Sequence, residues 1–179
     1  MLTEIVNQIL SIGAILVQVI FLVGFVYLIF LKPGKYPPLS SFLKKWGLFL
    51  AFLIALAAVS GSLFYSEIAG FAPCDLCWFQ RIFMYPQVII LGIAIWKKDL
   101  GAIKYSLPLA IGGLIVALYH NYITYSGSAI SVCSRSTFIG VSCLQRYVFE
   151  FGYITIPLMS LSAFALIALI LFLIKKQAK

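Results

Sequence analysis

Four cysteines are the residues of this chain whose types and spacing could support chemistry. Cys74 and Cys77 form a C-x-x-C pair within FAPCDLCWFQR, residues 71–81, and Cys133 and Cys143 form a wider pair further along. Such cysteines support a reversible dithiol–disulfide couple, static structural disulfides, or a zinc site with four thiolate ligands. Nine residues separate Cys133 from Cys143, which is outside the usual C-x2–4-C spacing of zinc ligands. The spacing therefore favours redox chemistry and leaves the other two readings open.

The residues around the first pair favour a reactive thiolate. Pro73 precedes Cys74 and a long apolar run follows, so both sulfur atoms are predicted at the N-terminus of a helix. Free N–H groups and the helix dipole at such a position lower the pKa of a thiol. Arg81 lies one turn beyond Cys77 on the same helix face. A guanidinium at a membrane boundary needs a polar or anionic partner, and a thiolate or the oxygen of a bound carbonyl compound would supply one.

Five long apolar runs must position these residues. The chain has 179 residues, of which 63% are hydrophobic and 10% are charged, whereas a soluble domain carries about a quarter charged residues. A helix needs about 20 residues to cross the hydrocarbon layer, and there is no strand-length alternation typical of a barrel. The sequence therefore predicts an all-α membrane protein with five spans, within residues 5–31, 46–65, 79–96, 105–125 and 151–174.

The basic residues predict the orientation of these spans. Ten of the thirteen are lysines, and they occur between spans 1 and 2, between spans 3 and 4, and after span 5. The positive-inside rule places these segments in the cytoplasm, the N-terminus outside and the C-terminus inside. The net charge of +8 is thus interpreted as a topology signal, and no nucleic-acid partner is expected. Because nothing basic precedes Lys32, span 1 is predicted to be an uncleaved anchor rather than a signal peptide.

This orientation places all four cysteines on the extracytoplasmic side. Cys74 and Cys77 lie where the connection after span 2 meets span 3, and Cys133 and Cys143 lie between spans 4 and 5. An even number of cysteines outside and none inside is typical of an oxidising compartment. We therefore expect a multi-pass protein of the cell membrane whose cysteine-bearing connections are extracytoplasmic.

The segment PCDLCWFQRIFMYP closely resembles the active-site segment of the disulfide bond formation protein B family, especially its shorter branch, often called BdbC. Three further stretches agree with that family: LYHNY at the outer end of span 4, CSRSTFIGVSC, and RYVFEFGYITIPLMSLSAFALI entering span 5. The resemblance covers roughly Trp46 to Ile174. It implies a four-helix transmembrane bundle over residues 46–179, with both ends cytoplasmic. Residues 1–45 would add one transmembrane helix and a linker, which the usual family member lacks; a lipid-facing brace or a partner-docking helix would each explain it.

The resemblance also implies a relay of electrons. The family oxidises an extracytoplasmic thioredoxin-fold dithiol oxidase, similar to DsbA, and passes the electrons to a membrane quinone, ubiquinone or menaquinone. On this sequence the partner would attack Cys133 of a Cys133–Cys143 disulfide, and Cys143 would then attack Cys74 of a Cys74–Cys77 disulfide. Cys77 would lie beside the quinone ring with Arg81 assisting, and no metal is expected.

His120 is the only histidine of the chain and lies at the outer end of span 4. The family has a histidine near this place, so a quinone contact is one interpretation; an interfacial polar residue bonded to backbone or water is the other. Asn121 beside it could donate to a quinone oxygen equally well.

Two other function classes remain open from the sequence. A vitamin K epoxide reductase-like enzyme also combines a four-helix bundle, a C-x-x-C pair and quinone chemistry, but its loop cysteines precede the C-x-x-C pair, whereas here they follow it. A non-enzymatic membrane protein whose four cysteines hold zinc or static disulfides is the second alternative.

Overall fold

The structure is a computed structural model that describes residues 2–30, 37–127, 143–144 and 146–177. It consists of long helices joined by short connections. They are α1 (Leu2–Phe30), α2 (Pro37–Leu63), α3 (Asp75–Lys97), α4 (Ile103–Ser126) and α5 (Ile156–Gln177), with a π-helical turn at Phe64–Ile68 after α2 and a 3-10 turn at Leu100–Ala102 before α4. All five long helices are long and apolar enough to cross a membrane. The predicted all-α fold with five spans is confirmed, and the described residues contain no β-strand.

Two helix boundaries differ from the apolar runs. Helix α2 begins at Pro37 rather than near Trp46, so Lys44 and Lys45 are helical and the predicted boundary between residues 45 and 46 falls inside this helix. Helix α5 begins at Ile156 rather than near Phe151. The apolar run alone could not show this, because its first residues form a turn before the helix.

That turn is tight and redirects the chain into α5. Phe151 and Gly152 have φ values of 51° and 78°, the left-handed region that a side chain other than that of glycine seldom adopts. Glu150 and Ile154 close the turn by exchanging backbone hydrogen bonds of 3.0 and 2.8 Å. The Thr155 hydroxyl then accepts a bond from the Leu158 N–H, 3.4 Å away, which caps the first turn of α5.

Helices α2, α3, α4 and α5 form a ring in which each packs against the next and α5 packs against α2. The α4–α5 seam is especially close: a Cβ atom at Gly113 would overlap the ring of Phe164. Phe164 is fully buried, so the glycine is what allows this large ring to reach the centre of the bundle. The ring of four helices is thus tightly packed where α4 meets α5.

Helix α1 packs along α5, outside the ring. The Gln18 amide donates to the Ser162 hydroxyl over 3.1 Å, and the Tyr153 hydroxyl donates to Gln18 Oε1 over 3.2 Å. Further along, Leu169 approaches so closely that a Cβ atom at Gly24 would lie 2.9 Å from it. Polar bonds and close packing therefore hold α1 in a defined position on α5.

Candidate active site

Cys74 and Cys77 lie at the N-terminus of α3, as predicted. Cys74 is the N-cap residue, with an extended backbone, and Cys77 lies in the first turn. Both thiols are free and their Sγ atoms are 2.8 Å apart. A disulfide bond is about 2.05 Å long, so the two Sγ atoms need to approach each other by less than about 1 Å when this pair is oxidised. The pair can therefore alternate between dithiol and disulfide with little rearrangement of the helix.

The surroundings of Cys74 favour its thiolate. A hydrogen bond from the Cys77 thiol is the largest influence and lowers the pKa of Cys74 to about 5, although burial of the sulfur opposes the shift. His120 adds to the lowering through its Nε2 atom, which is 3.8 Å from Cys74 Sγ. In the reduced pair the shared proton therefore belongs to Cys77, and Cys74 carries the charge.

A chain of polar side chains orients His120. The Gln80 amide nitrogen is 3.2 Å from His120 Nδ1, and the Ser160 hydroxyl donates to Gln80 Oε1 over 2.9 Å. When Gln80 donates to Nδ1, the ring proton must lie on Nε2, where it points to Cys74. Both His120 and Gln80 are buried. The histidine thus contacts a reactive sulfur, a role that the sequence analysis did not assign to it.

Arg81 is buried and bonded to the end of α2. Its Nε atom donates to the Ser62 hydroxyl over 3.0 Å and a terminal nitrogen donates to the Ser62 carbonyl over 3.1 Å. The guanidinium also lies 5.0 Å from the centre of the Trp78 ring. Both hydrogen-bond acceptors are neutral, so the polar partner that the sequence predicted for this arginine is a serine. Its positive charge still faces the same cavity as Cys77.

This cavity has a volume of about 490 Å³, which is within the range of small-molecule sites. Its polar end brings together five of the six predicted site residues: Cys74, Cys77, Arg81, His120 and Cys143. Cys143 is buried and disulfide-bonded. The sixth residue, Cys133, lies outside the described part of the chain, so its pairing stays a prediction.

Asn121 has a different role from the one considered for it. Its amide donates to the Ala117 carbonyl and to the Pro157 carbonyl, both over 2.8 Å. The second bond joins α4 to the start of α5. Asn121 therefore holds two helices together, while its neighbour His120 contacts the thiol.

Three residues of the site were not predicted from the sequence: Gln80, Ser160 and Ser62. Gln80 and Arg81 are two consecutive polar residues in an apolar run, and this was a signal that both side chains face protein rather than lipid. Ser160 and Ser62 carry no comparable signal, because small hydroxyl residues are common in membrane helices. Their contact with α3 becomes visible only when the helices are assembled.

The donor atoms around Cys74 include a possible set of metal ligands. Cys74, Cys77 and His120 offer ligand atoms that all lie within 4.8 Å of one another. Two thiolates bound to one tetrahedral zinc ion are about 3.8 Å apart, given bonds of about 2.3 Å, whereas these sulfur atoms are 2.8 Å apart. Cys143, being in a disulfide, has no thiolate to offer. The described residues therefore have the geometry of a hydrogen-bonded dithiol and do not form a four-cysteine zinc site.

A free dithiol at a helix N-terminus, beside an apolar cavity within a membrane bundle, defines a membrane thiol–disulfide oxidoreductase. Comparison with known proteins supports this class. The family profile described as Disulfide bond formation protein DsbB matches residues 44–174, and the chain belongs to this family. No solved structure matches it significantly.

Several curated relatives carry related names. The chain is 44% identical over 133 residues to "Disulfide bond formation protein C" of Bacillus subtilis, covering 73% of this chain and 93% of the relative. It is 43% identical over 138 residues to "Probable disulfide formation protein C 1" of Bacillus anthracis, covering 75% and 95%. A third relative, "SPbeta prophage-derived disulfide bond formation protein B" of Bacillus subtilis, is 48% identical over 128 residues, covering 72% and 84%.

Helix α1 lies outside the family match, which begins at residue 44. The match to the Bacillus anthracis relative covers 75% of this chain, so a quarter of the chain lies outside that match as well.

Proposed function

We propose that this protein reoxidises an extracytoplasmic thioredoxin-fold dithiol oxidase, similar to DsbA, and passes the electrons to a membrane quinone, thereby sustaining disulfide bond formation. The observation that carries the proposal is the free Cys74–Cys77 pair at the polar end of a membrane cavity. Bundle residues 46–179 would carry this activity. Family membership supports the thiol chemistry, and the cavity supports a lipophilic acceptor, ubiquinone or menaquinone.

The proposed relay is a series of balanced thiol–disulfide exchanges. A partner thiolate attacks Cys133 of a Cys133–Cys143 disulfide, forms a mixed disulfide with Cys133 and releases the Cys143 thiolate. Cys143 then attacks Cys74, and Cys77 leaves as a thiolate. The second partner thiolate closes the partner's own disulfide and frees Cys133. Cys133 next attacks the Cys143–Cys74 bond, which restores the first disulfide and leaves Cys74 and Cys77 reduced.

The cavity residues fit the last step. A bound quinone would supply a two-electron acceptor. Cys74 and Cys77 would close to a disulfide and give up two electrons and the one proton that they share, and the second proton needed by the acceptor would come from water. Arg81 lines the cavity, and its positive charge is suited to a carbonyl oxygen.

We further propose that the protein lies in the cell membrane with its cysteines facing outward. The segregation of lysines from cysteines along the sequence supports this orientation,. After mild reduction of intact cells, a membrane-impermeant thiol reagent should label all four cysteines, with slow labelling of buried Cys74. Protection of all four cysteines would mean that the orientation is the reverse.

The order of the relay is tested by trapping the partner. Cys143→Ser should leave Cys133 able to form a mixed disulfide with an oxidised partner whose own resolving cysteine is deleted. Cys133→Ser should trap much less, because Cys143 is placed beside Cys74 instead. Cys74→Ser should still capture the partner while blocking delivery of electrons to quinone.

Non-reducing gels of these three variants distinguish the alternatives. Equal trapping through Cys133 and Cys143 would contradict the order but not the redox function. No trapping through either, together with one bound zinc ion per chain, would contradict the oxidase function and favour a metal-binding protein.

A further inference from the structure

Helix α1 supplies one wall of the cavity that holds the redox pair. Leu10, Gly13 and Val17 line it, and their spacing places them on one face of the helix. From the opposite side Ile54 and Ala58 of α2 line the same space. This part of the cavity is apolar and continues from the polar end, where Cys77 and Arg81 lie. Helix α1, which lies outside the family match, therefore borders the space beside the proposed acceptor site.

The face of α1 that borders the cavity leaves open space. A Cβ atom at Gly13 would meet no described atom within 4 Å. One turn away, Leu10 reaches α2, because a Cβ atom at Gly61 would lie 3.4 Å from its side chain. Helix α1 thus approaches α2 at Gly61, next to Ser62 and the redox end, and leaves a gap at Gly13.

The wall is fixed rather than loosely attached. Gln18, one residue beyond Val17, bonds to Ser162 of α5 and to Tyr153. Because Gln18 bonds to two partners, it fixes both the rotation of α1 about its axis and its position along α5. The gap at Gly13 is consequently a feature of the packed protein.

The other end of the cavity is built for a polar group. Arg81 and Cys77 both line it. The Arg81 guanidinium is buried and carries five N–H donors, two of which bond to Ser62. A buried cation with this many donors suits a ligand with oxygen atoms at this end. The ligand would thus have a polar head and an apolar extension.

We propose that α1 and α2 together bind the apolar tail of a prenylated quinone, with α1 closing the side of the bundle that would otherwise open to lipid. The inference rests on the proposed function, because the head of the same molecule would be the electron acceptor. The proposal gives α1 a binding role, whereas the sequence had left open a bracing role or a partner-docking role.

Gly13→Phe tests this role, because a Cβ atom at this position would meet no described atom within 4 Å and the larger side chain would occupy the gap. Binding is measured from quenching of tryptophan fluorescence in the purified full-length protein, with a prenylated quinone and with a tail-less benzoquinone. Gly13→Phe should weaken binding of the prenylated quinone about tenfold or more, the loss expected when about two methylene groups are no longer buried. Binding of the tail-less quinone should stay within roughly twofold. The matched control is Ile12→Phe, at a neighbouring residue that is half exposed; it should change neither.

Each other result has a definite meaning. Equal weakening of both quinones, or no change in either, would overturn the tail site. Unchanged quinone binding with loss of co-purified phospholipid from Gly13→Phe would assign the gap to a lipid acyl chain and overturn it too. If the unmodified protein binds neither quinone, the proposed function itself fails. If the unmodified protein binds both quinones and Gly13→Phe does not discriminate between them, only the inference about α1 fails.

Discussion

Two buried glutamines lie two turns apart on the same face of α3, and their surroundings differ. Gln87 is fully buried; it accepts a bond from Ser106 of α4 over 3.2 Å and donates to the Phe83 carbonyl over 3.3 Å. Gln80 bonds instead to His120 and Ser160, and its chain of contacts continues to Cys74. Each amide joins α3 to another helix, so both contribute to packing.

The difference lies in where each set of bonds leads. The bonds of Gln87 are satisfied within the bundle, which makes it a structural contact between helices. The chain that includes Gln80 leads to a sulfur atom whose charge can change, at the edge of a cavity. A buried polar residue in a membrane helix is therefore not by itself a sign of function. The hydrogen-bond partners of such a residue indicate whether it is functional or structural. Here they distinguish the redox end of the bundle from its packed interior.

The largest change at the redox end is expected from Cys77→Ala. It removes the hydrogen bond that does most to lower the pKa of Cys74, so this pKa should rise from about 5 towards the ordinary value of about 8.5. Only the thiolate reacts with iodoacetamide. At pH 6 alkylation of Cys74 should therefore slow by about a hundredfold or more relative to the reduced unmodified protein.

The pH profile is the measurement. In the unmodified protein the alkylation rate of Cys74, followed by mass spectrometry, should decrease only as the pH falls through about 5. In Cys77→Ala the decrease should occur at a distinctly higher pH. A profile that stays near pH 5 in the variant would show that Cys77 does not stabilise the Cys74 thiolate.

A smaller effect is expected from Arg81→Met. This change removes the positive charge from the cavity and two hydrogen bonds to Ser62. A hydrogen bond to a charged group contributes about 1.5–3 kcal/mol, so quinone reduction should be about ten- to a hundredfold less efficient while the disulfides still form. Ser62→Ala, which keeps the charge and the backbone acceptor, should have a weaker effect. Unchanged quinone kinetics in Arg81→Met would make the arginine an anchor between α2 and α3.

The smallest effects, and the most direct test of the comparison, come from replacing each glutamine by methionine. Gln80→Met should move the alkylation profile of Cys74 to higher pH, because His120 loses the bond that orients it. The thiolate population of Cys74 at low pH should fall by about two- to tenfold. Ser160 keeps the Pro157 carbonyl as an acceptor, 2.8 Å away, but the buried His120 Nδ1 loses its partner, so the stability should fall by about 1–3 kcal/mol.

Gln87→Met should leave the alkylation profile of Cys74 unchanged. It leaves the buried Ser106 hydroxyl without its present acceptor, which costs about 1–3 kcal/mol of stability. Thermal unfolding in detergent measures this loss in both variants, and the pH profile separates them. If both variants shifted the pH profile equally, the distinction between the two ends of the bundle would be wrong.

Local patterns in the sequence were sufficient for much of the fold. The apolar runs predicted five spans, and Pro73 followed by an apolar run predicted the helix N-terminus at Cys74. The start of α5 was misplaced, because the turn at Phe151 and Gly152 consists of residues that are also compatible with a span. An apolar run in the sequence indicates the length and polarity of a segment, but it does not indicate which of its residues adopt a positive φ.

The candidate site was predictable only in part, for a related reason. Cys74, Cys77 and Arg81 are close in sequence, so helical spacing brought them together. The bond from Arg81 to Ser62 and the contacts of Gln80 with His120 and Ser160 join different helices, and no local pattern encodes such contacts. The position of α1 beside the cavity likewise follows from its packing on α5 and not from its own composition.

The most direct test of the central claim is quinone reduction by the purified protein, supplied with a reduced thioredoxin-fold oxidase. The account predicts one quinone reduced for each partner disulfide formed, with loss of quinone reduction in Cys74→Ser and in Cys77→Ala. No quinone reduction by the unmodified protein, although the partner is reduced and all four cysteines are intact, would contradict it.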